Sequence, residues 1–239
     1  MRLALDQASW EARAIFRNGE QLMVAFIMPI IALVALLHID ALGLPEPQNA
    51  HALAGALAMA VIASSFTSQS IAVAFDRRWG VLRMFATTPL GPRGLLAGKA
   101  IAVVIVVAAQ VIVLCLIAAL LGGWRPASVL SIIAMAIMIA LGTVTFVALG
   151  MCVGGTLRTE SVLAVANIGF VLMVIAGGVL MPVGSGLTGW FLTFTPFGAL
   201  GEGMRAAVLG EIALLPIVVQ AAWAALLSAV AVRVFRWES

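Results

Sequence analysis

Six long, continuously apolar runs constrain this chain more than anything else in it: 21–39, 52–75, 99–121, 128–152, 161–181 and 212–232. A bilayer core is about 30 Å thick and a helix rises about 1.5 Å per residue, so a spanning helix needs about 20 mainly apolar residues. Each run meets or approaches that length. In lipid every backbone N–H and C=O must be satisfied within the protein, which leaves helices and closed barrels. The runs do not alternate between apolar and polar positions, so a strand barrel is disfavoured. The chain reads as an all-α membrane protein with six transmembrane helices. Its composition, 64% hydrophobic and 10% charged over 239 residues, lies far above the roughly 45–50% apolar content of soluble domains. A single membrane domain over 1–239 accounts for the whole length. Cys115 and Cys152 fall inside runs with no CxxC spacing, which makes them small buried hydrophobes and argues against a metal site or a disulfide framework. The first run follows a charged segment, is too long for a signal-peptide core and lacks an A-x-A site, so it reads as a retained helix.

Charge gives the expected orientation. Arg2, Arg13, Arg17, Arg77, Arg78, Arg83, Arg93, Lys99, Arg158, Arg233 and Arg236 fall on one side of the six spans, and only Arg125 and Arg205 on the other. The positive-inside rule then puts both termini and the 76–98 segment in the cytoplasm, and the 40–51 loop, with Asp40 and Glu46, outside. The net charge of +3 is spread beside spans, so nucleic acid is not an expected partner.

Three segments outside the spans carry pattern. In 1–20, Leu5, Ala8, Ala12, Ile15 and Phe16 share one side while Asp6, Arg13 and Arg17 take the other. An amphipathic helix along the cytoplasmic interface fits that spacing, with a solvated terminus as the alternative. In 76–90, Val81, Met84, Phe85 and Thr88 line one face of a short helix flanked by Asp76, Arg77, Arg78 and Arg83, and Pro89 stops it. Its charge suits either a protein docking surface or anionic lipid. The 182–211 segment holds several glycines, Pro182 and Pro196, with Trp190, Phe191, Phe194 and Phe197. It is too apolar for a solvated loop and too broken for a span. Short re-entrant helices at the outer surface fit it, with an aromatic belt loop as the alternative.

The missing chemistry narrows function further. No acidic residue lies in the middle of a run, whereas ion-coupled transporters place ionisable groups there despite a cost of about 2.5–3.5 kcal/mol or more. No HExxH, His/Cys cluster or Ser/His/Asp arrangement is present, and His38 and His51 flank the external loop as expected interfacial residues. The Gly98-Lys99-Ala100 stretch superficially matches a phosphate loop, but Arg93 stands where its first glycine belongs and Ala100 replaces the hydroxyl; Lys99 is expected to be a cytoplasmic anchor. Uphill transport by such a bundle needs binding energy from elsewhere, and a separate ATP-hydrolysing subunit docked on the cytoplasmic side would supply it.

The run Asp76-Arg77-Arg78-Trp79-Gly80-Val81-Leu82-Arg83, followed by Thr88-Pro89-Leu90 and Gly98-Lys99, resembles the loop after the second span of ABC-2 type permeases. These are the membrane subunits of bacterial ATP-binding cassette exporters, the daunorubicin-resistance-like ones among them. Asn167, Gly177-Gly178-Val179-Leu180-Met181-Pro182, Pro196, Glu202 and Arg205 resemble that family's fifth span and outer segment. Arg83 departs from it, standing where an acidic residue is common. The resemblance implies a multi-pass permease in the bacterial plasma membrane, exporting an amphipathic, lipidic or drug-like substrate by alternating access. It implies two ABC ATPase subunits that hold ATP and Mg, no cofactor on this chain, and a second permease copy, identical or paralogous. Coupling would fall to Asp76, Arg77, Arg78, Gly80, Val81, Arg83, Met84, Phe85 and Pro89, with Arg158 and Glu160 in a smaller contact. The second and fifth spans would line the path. Thr67 and Gln69, among the hydroxyls Ser64, Ser65, Ser68 and Ser70, line it or bond their own helix. Asn167 is path lining or interhelical glue, and Phe170 and Met173 would form an adaptable apolar wall. Pro182, Pro196, Glu202 and Arg205 would build an outer gate, the last two pairing at i, i+3. A stand-alone channel or scaffold without an ATPase is the alternative from a different class.

Overall fold

In a computed structural model the described residues are 19–39, 43–81, 91–182 and 186–234, together with Arg13. Every regular element among them is a helix. In chain order these are α1 (Gly19–His38), α2 (Gln48–Arg78), α3 (Gly91–Gly122), α4 (Val129–Thr156), α5 (Thr159–Ile175), α6 (Leu187–Thr193), α7 (Pro196–Leu209) and α8 (Leu214–Val234). Four of them, α2, α3, α4 and α8, are long and apolar enough to cross a membrane. Residues Ala25–His38 of α1 and the whole of α5 are shorter apolar helices. Most of the 1–20 segment, and Arg83, Met84, Phe85 and Pro89 of the expected coupling helix, lie outside the described residues.

The core forms around α2. Its first half, from Ala50 to Ile62, is buried on every side, because Ala and Gly fill half the turns and let neighbouring backbones approach closely. A Cβ on Gly55 would lie 2.8 Å from the carbonyl oxygen of Leu180, so that approach requires glycine. Between α2 and α3 burial and hydropathy run in opposite directions, although α8, 22% buried with a mean hydropathy of 2.0, does not follow them. The apolar window of α2 is 83% buried, with a mean hydropathy of 1.5, while that of α3 is 39% buried, with a mean hydropathy of 3.2. The exposed face of α3 suits contact with acyl chains. Helix α4 packs on α2 and α8, α1 and α7 pack on α2, and α5 touches the bundle along one narrow edge.

Helix ends follow polar satisfaction more closely than hydropathy. The second run is helical beyond both of its apolar limits, from Gln48 to Arg78. At the start, Gln48 Nε2 donates to Leu36 O at 3.0 Å and Asn49 Nδ2 to Gly122 O at 2.8 Å. His51, expected at the interface, is therefore one turn inside the helix and buried. The fifth run stops being helical at Ile175, six residues before its apolar limit. Gly178 there takes φ +72°, a left-handed turn that favours glycine, and the chain reverses toward α6.

Candidate functional site

One end of the bundle gathers charge. Helix α2 carries Asp76, Arg77 and Arg78 in its last turn, where cations offset the negative helix terminus. Arg77 Nη1 donates to Gly155 O at 2.6 Å and Nη2 to Leu157 O. Both carbonyls belong to the end of α4 and the turn before α5, so one guanidinium ties three helices. Arg78 pairs with Glu160 at 3.3 Å, with both side chains exposed. Lys99 of α3 is 2% exposed and pairs with Asp76 at 3.3 Å. The expected cytoplasmic anchor is thus a buried tie between α2 and α3, because Gly91 to Gly98 continue the helix beyond the apolar run and carry Lys99 inside it. Trp79 and Gly80 close α2 in a turn, Gly80 at φ +75°. Trp79 is exposed and stacks on Phe75 at 5.1 Å. Val81 follows, half-buried.

Midway along α2 the helix widens into a π turn, Ala63–Thr67. The backbone N–H of Ser68 and its hydroxyl both donate to Ala63 O, the hydroxyl at 3.2 Å. One carbonyl so serves two donors, which steadies the wide turn. Such turns insert a residue, rotate the helix face, and recur at functional positions. Here the rotation separates Ser64 from its neighbours. Ser64 donates to Gln110 Oε1 at 3.0 Å, and Gln110 Nε2 reaches Ala25 O of α1 at 2.9 Å. Ser65 Oγ, Thr67 Oγ1, Gln69 Oε1 and Ser70 Oγ are buried and make no hydrogen bond among the described residues. Gly150 of α4 backs this patch, since a Cβ there would meet Phe66 O at 3.0 Å and Ser65 O at 3.2 Å.

The other end is built from the reversal after α5 and the short helices α6 and α7. Thr195 caps α7, accepting from Gly198 N at 3.1 Å, and Pro196 occupies its first turn. Arg205, 4% exposed, donates from Nη1 to Val179 O at 3.1 Å and from Nη2 to Gly178 O at 2.7 Å and Glu202 Oε1 at 2.8 Å. This guanidinium fastens α7 to the reversal.

The profile of the ABC-2 type transporter family matches residues 8–209. The chain belongs to this family. It is the membrane-embedded, multi-pass permease subunit of an ABC transporter, and membership implies ABC ATPase subunits as partners. No curated protein matches it.

The permease distributes its candidate residues over three places. Asp76, Arg77, Arg78, Gly80, Val81, Arg158 and Glu160 share one end. Thr67 ends the π turn of α2 and Gln69, buried, follows it. Asn167 points its amide at Leu163 O, 2.8 Å away on its own helix, and is exposed beside half-buried Phe170 and Met173. Phe66 of the π turn lies against Gly169 of α5, while Asn167 on that helix stays exposed. Pro182, Pro196, Glu202 and Arg205 gather at the opposite end.

Sequence reasoning missed Gln110 as a three-helix link, Lys99 as a buried ion and His51 as a buried ring. Gln110 carried a readable signal, as a lone amide in the middle of the third run.

Proposed function

We propose that this permease is the membrane half of an exporter, moving an amphipathic substrate outward by alternating access driven by a separate ATPase. The ends bearing Arg77 and Lys99 face the cytoplasm, with both termini inside, in a bacterial plasma membrane. Six spans cross it, the shorter α1 and α5 among them, and two permease copies stand on two ATPase subunits.

The observation that carries this reading is Arg77. Its two bonds, to Gly155 O and Leu157 O, together with the Asp76–Lys99 pair, fuse the ends of α2, α3, α4 and α5 into one block at the head of the 76–90 segment. A push delivered to that segment moves four helices together. The polar π-turn face of α2 and the exposed face of α5, with Asn167, Phe170 and Met173, would meet their counterparts in the second copy and line the path. The arginines left at this end would face the ATPase, and Arg158 with Glu160 would add a second contact.

The test is the permease co-purified with its ATPase and reconstituted in vesicles. Val81→Asp and Phe85→Asp should each leave the complex assembled and ATP hydrolysis measurable, and lower transport per ATP at least tenfold. Full coupling in both variants would overturn the docking assignment.

A further inference from the structure

A cavity of about 330 Å³ lies between the reversal after α5 and the helices α6 and α7. Gly177, Gly178 and Gly198 line it, together with Trp190, Glu202 and Arg205 among others. Its volume is at the low end of the roughly 300–1,000 Å³ of ligand sites, the size of a headgroup and too small for a whole amphiphile.

The charges in it are unequal in reach. Arg205 is 4% exposed, and its Nη atoms donate inward to Val179 O, Gly178 O and Glu202 Oε1. Three of its five N–H groups are bonded in this way, and the one at Nε is buried with no partner among the described residues. Glu202 is 41% exposed, with one carboxylate oxygen bonded to Arg205. A ligand entering therefore meets a carboxylate first, and the guanidinium behind it acts as a brace. The third element is aromatic. Trp190 is 59% exposed and held edge-on by Phe191 and Phe194, at 5.2 and 5.0 Å between ring centroids. A carboxylate beside an indole is the combination that attracts an organic cation, through charge and through the ring quadrupole. Exposed Leu187 and Phe191 continue the same surface outward and would carry an alkyl chain.

We propose that this cavity binds the ammonium headgroup of an amphiphile, held by Glu202 and Trp190, with its chain along Leu187 and Phe191. The proposal deepens the exporter reading and rests on it only for the direction in which the cavity faces.

The experiment is equilibrium binding of tritiated dodecyltrimethylammonium to the full chain in maltoside micelles, competed by unlabelled dodecylphosphocholine, dodecyl phosphate and dodecyl glucoside. Saturable binding is expected, weakened at least tenfold in Glu202→Gln and about fivefold in Trp190→Leu, with both variants monodisperse on gel filtration. The amide of Glu202→Gln can still accept from Arg205, so the brace survives while the charge is lost. Weak competition by dodecylphosphocholine identifies a cationic amphiphile as the source, and strong competition identifies a phospholipid headgroup; either supports the site. Binding within twofold of wild type in both variants, or stronger competition by dodecyl phosphate, overturns it. No ATPase is present, so uncoupled transport and a failed headgroup site give separate results.

Discussion

Lys99 Nζ lies 3.3 Å from Asp76 Oδ2, joining the third helix to the end of the second with a lysine that is 2% exposed. Desolvating an ammonium is costly, and the return depends on its partners, Asp76 among them, staying in place. Asp76→Asn should therefore lower stability by about 3 kcal/mol, read as a fall in the thermal midpoint of the purified chain. Lys99→Met combined with Asp76→Asn should recover more than half of that loss, because the pair is then replaced by neutral groups. A double variant no better than Asp76→Asn would show that the lysine's charge is not the source of the cost.

The two neighbouring arginines should behave differently. Arg78 and Glu160 form an exposed pair, and such pairs contribute about 0–1 kcal/mol. Arg78→Ala should leave the thermal midpoint within error of wild type. Arg77→Lys keeps the charge but loses the fork that reaches Gly155 O and Leu157 O together. It should assemble with the ATPase and lose several-fold in transport per ATP. Equal effects of Arg77→Lys and Arg78→Ala in that assay would remove the basis for treating Arg77 as the tie.

Much of the fold was legible because lipid imposes one length and one periodicity on each crossing. What escaped were most of the places where a polar side chain found a partner on another helix. Hydropathy ended the second run at Phe75, yet the helix continues to Arg78 because Arg77 bonds to carbonyls supplied by α4. It kept the fifth run going to Met181, yet Gly178 turns the chain and Arg205, far along the sequence, holds the turn. The i, i+3 spacing of Glu202 and Arg205 showed a pair that does form. The π turn was invisible, since an inserted residue leaves average polarity unchanged and reveals itself only in which hydroxyl faces which helix. The expected coupling face of Met84 and Phe85 lies outside the described residues.

Two glycines should separate a rigid wall from a yielding one. A Cβ on Gly55 would sit 2.8 Å from Leu180 O and 3.1 Å from Leu180 Cα, both backbone atoms. On Gly169 it would sit 3.3 Å from the ring edge of Phe66, a side chain that needs to shift by only a few tenths of an ångström. Gly55→Ala should cost about 1–3 kcal/mol by overpacking, and Gly169→Ala less than half of that. Thermal midpoints of the two variants, measured in one detergent, check the order. The reverse order would mean that the reversal at Leu180 moves more freely than the ring.

Gln110 offers a prediction about polar contacts inside the apolar bundle. Its amide accepts from Ser64 at 3.0 Å and donates to Ala25 O at 2.9 Å, so it links α1, α2 and α3. Interhelical hydrogen bonds in membrane proteins average only about 0.6 kcal/mol, since the separated helices also find partners. Gln110→Leu removes two such bonds and strands the Ser64 hydroxyl, for an expected loss of about 1–2 kcal/mol. Ser64→Ala removes one bond, and the double variant should cost no more than Gln110→Leu alone, because the stranded hydroxyl is gone as well. A double-variant cycle on thermal unfolding measures that coupling directly. Strict additivity of the two single changes would mean that Ser64 and Gln110 do not bond each other in the folded permease.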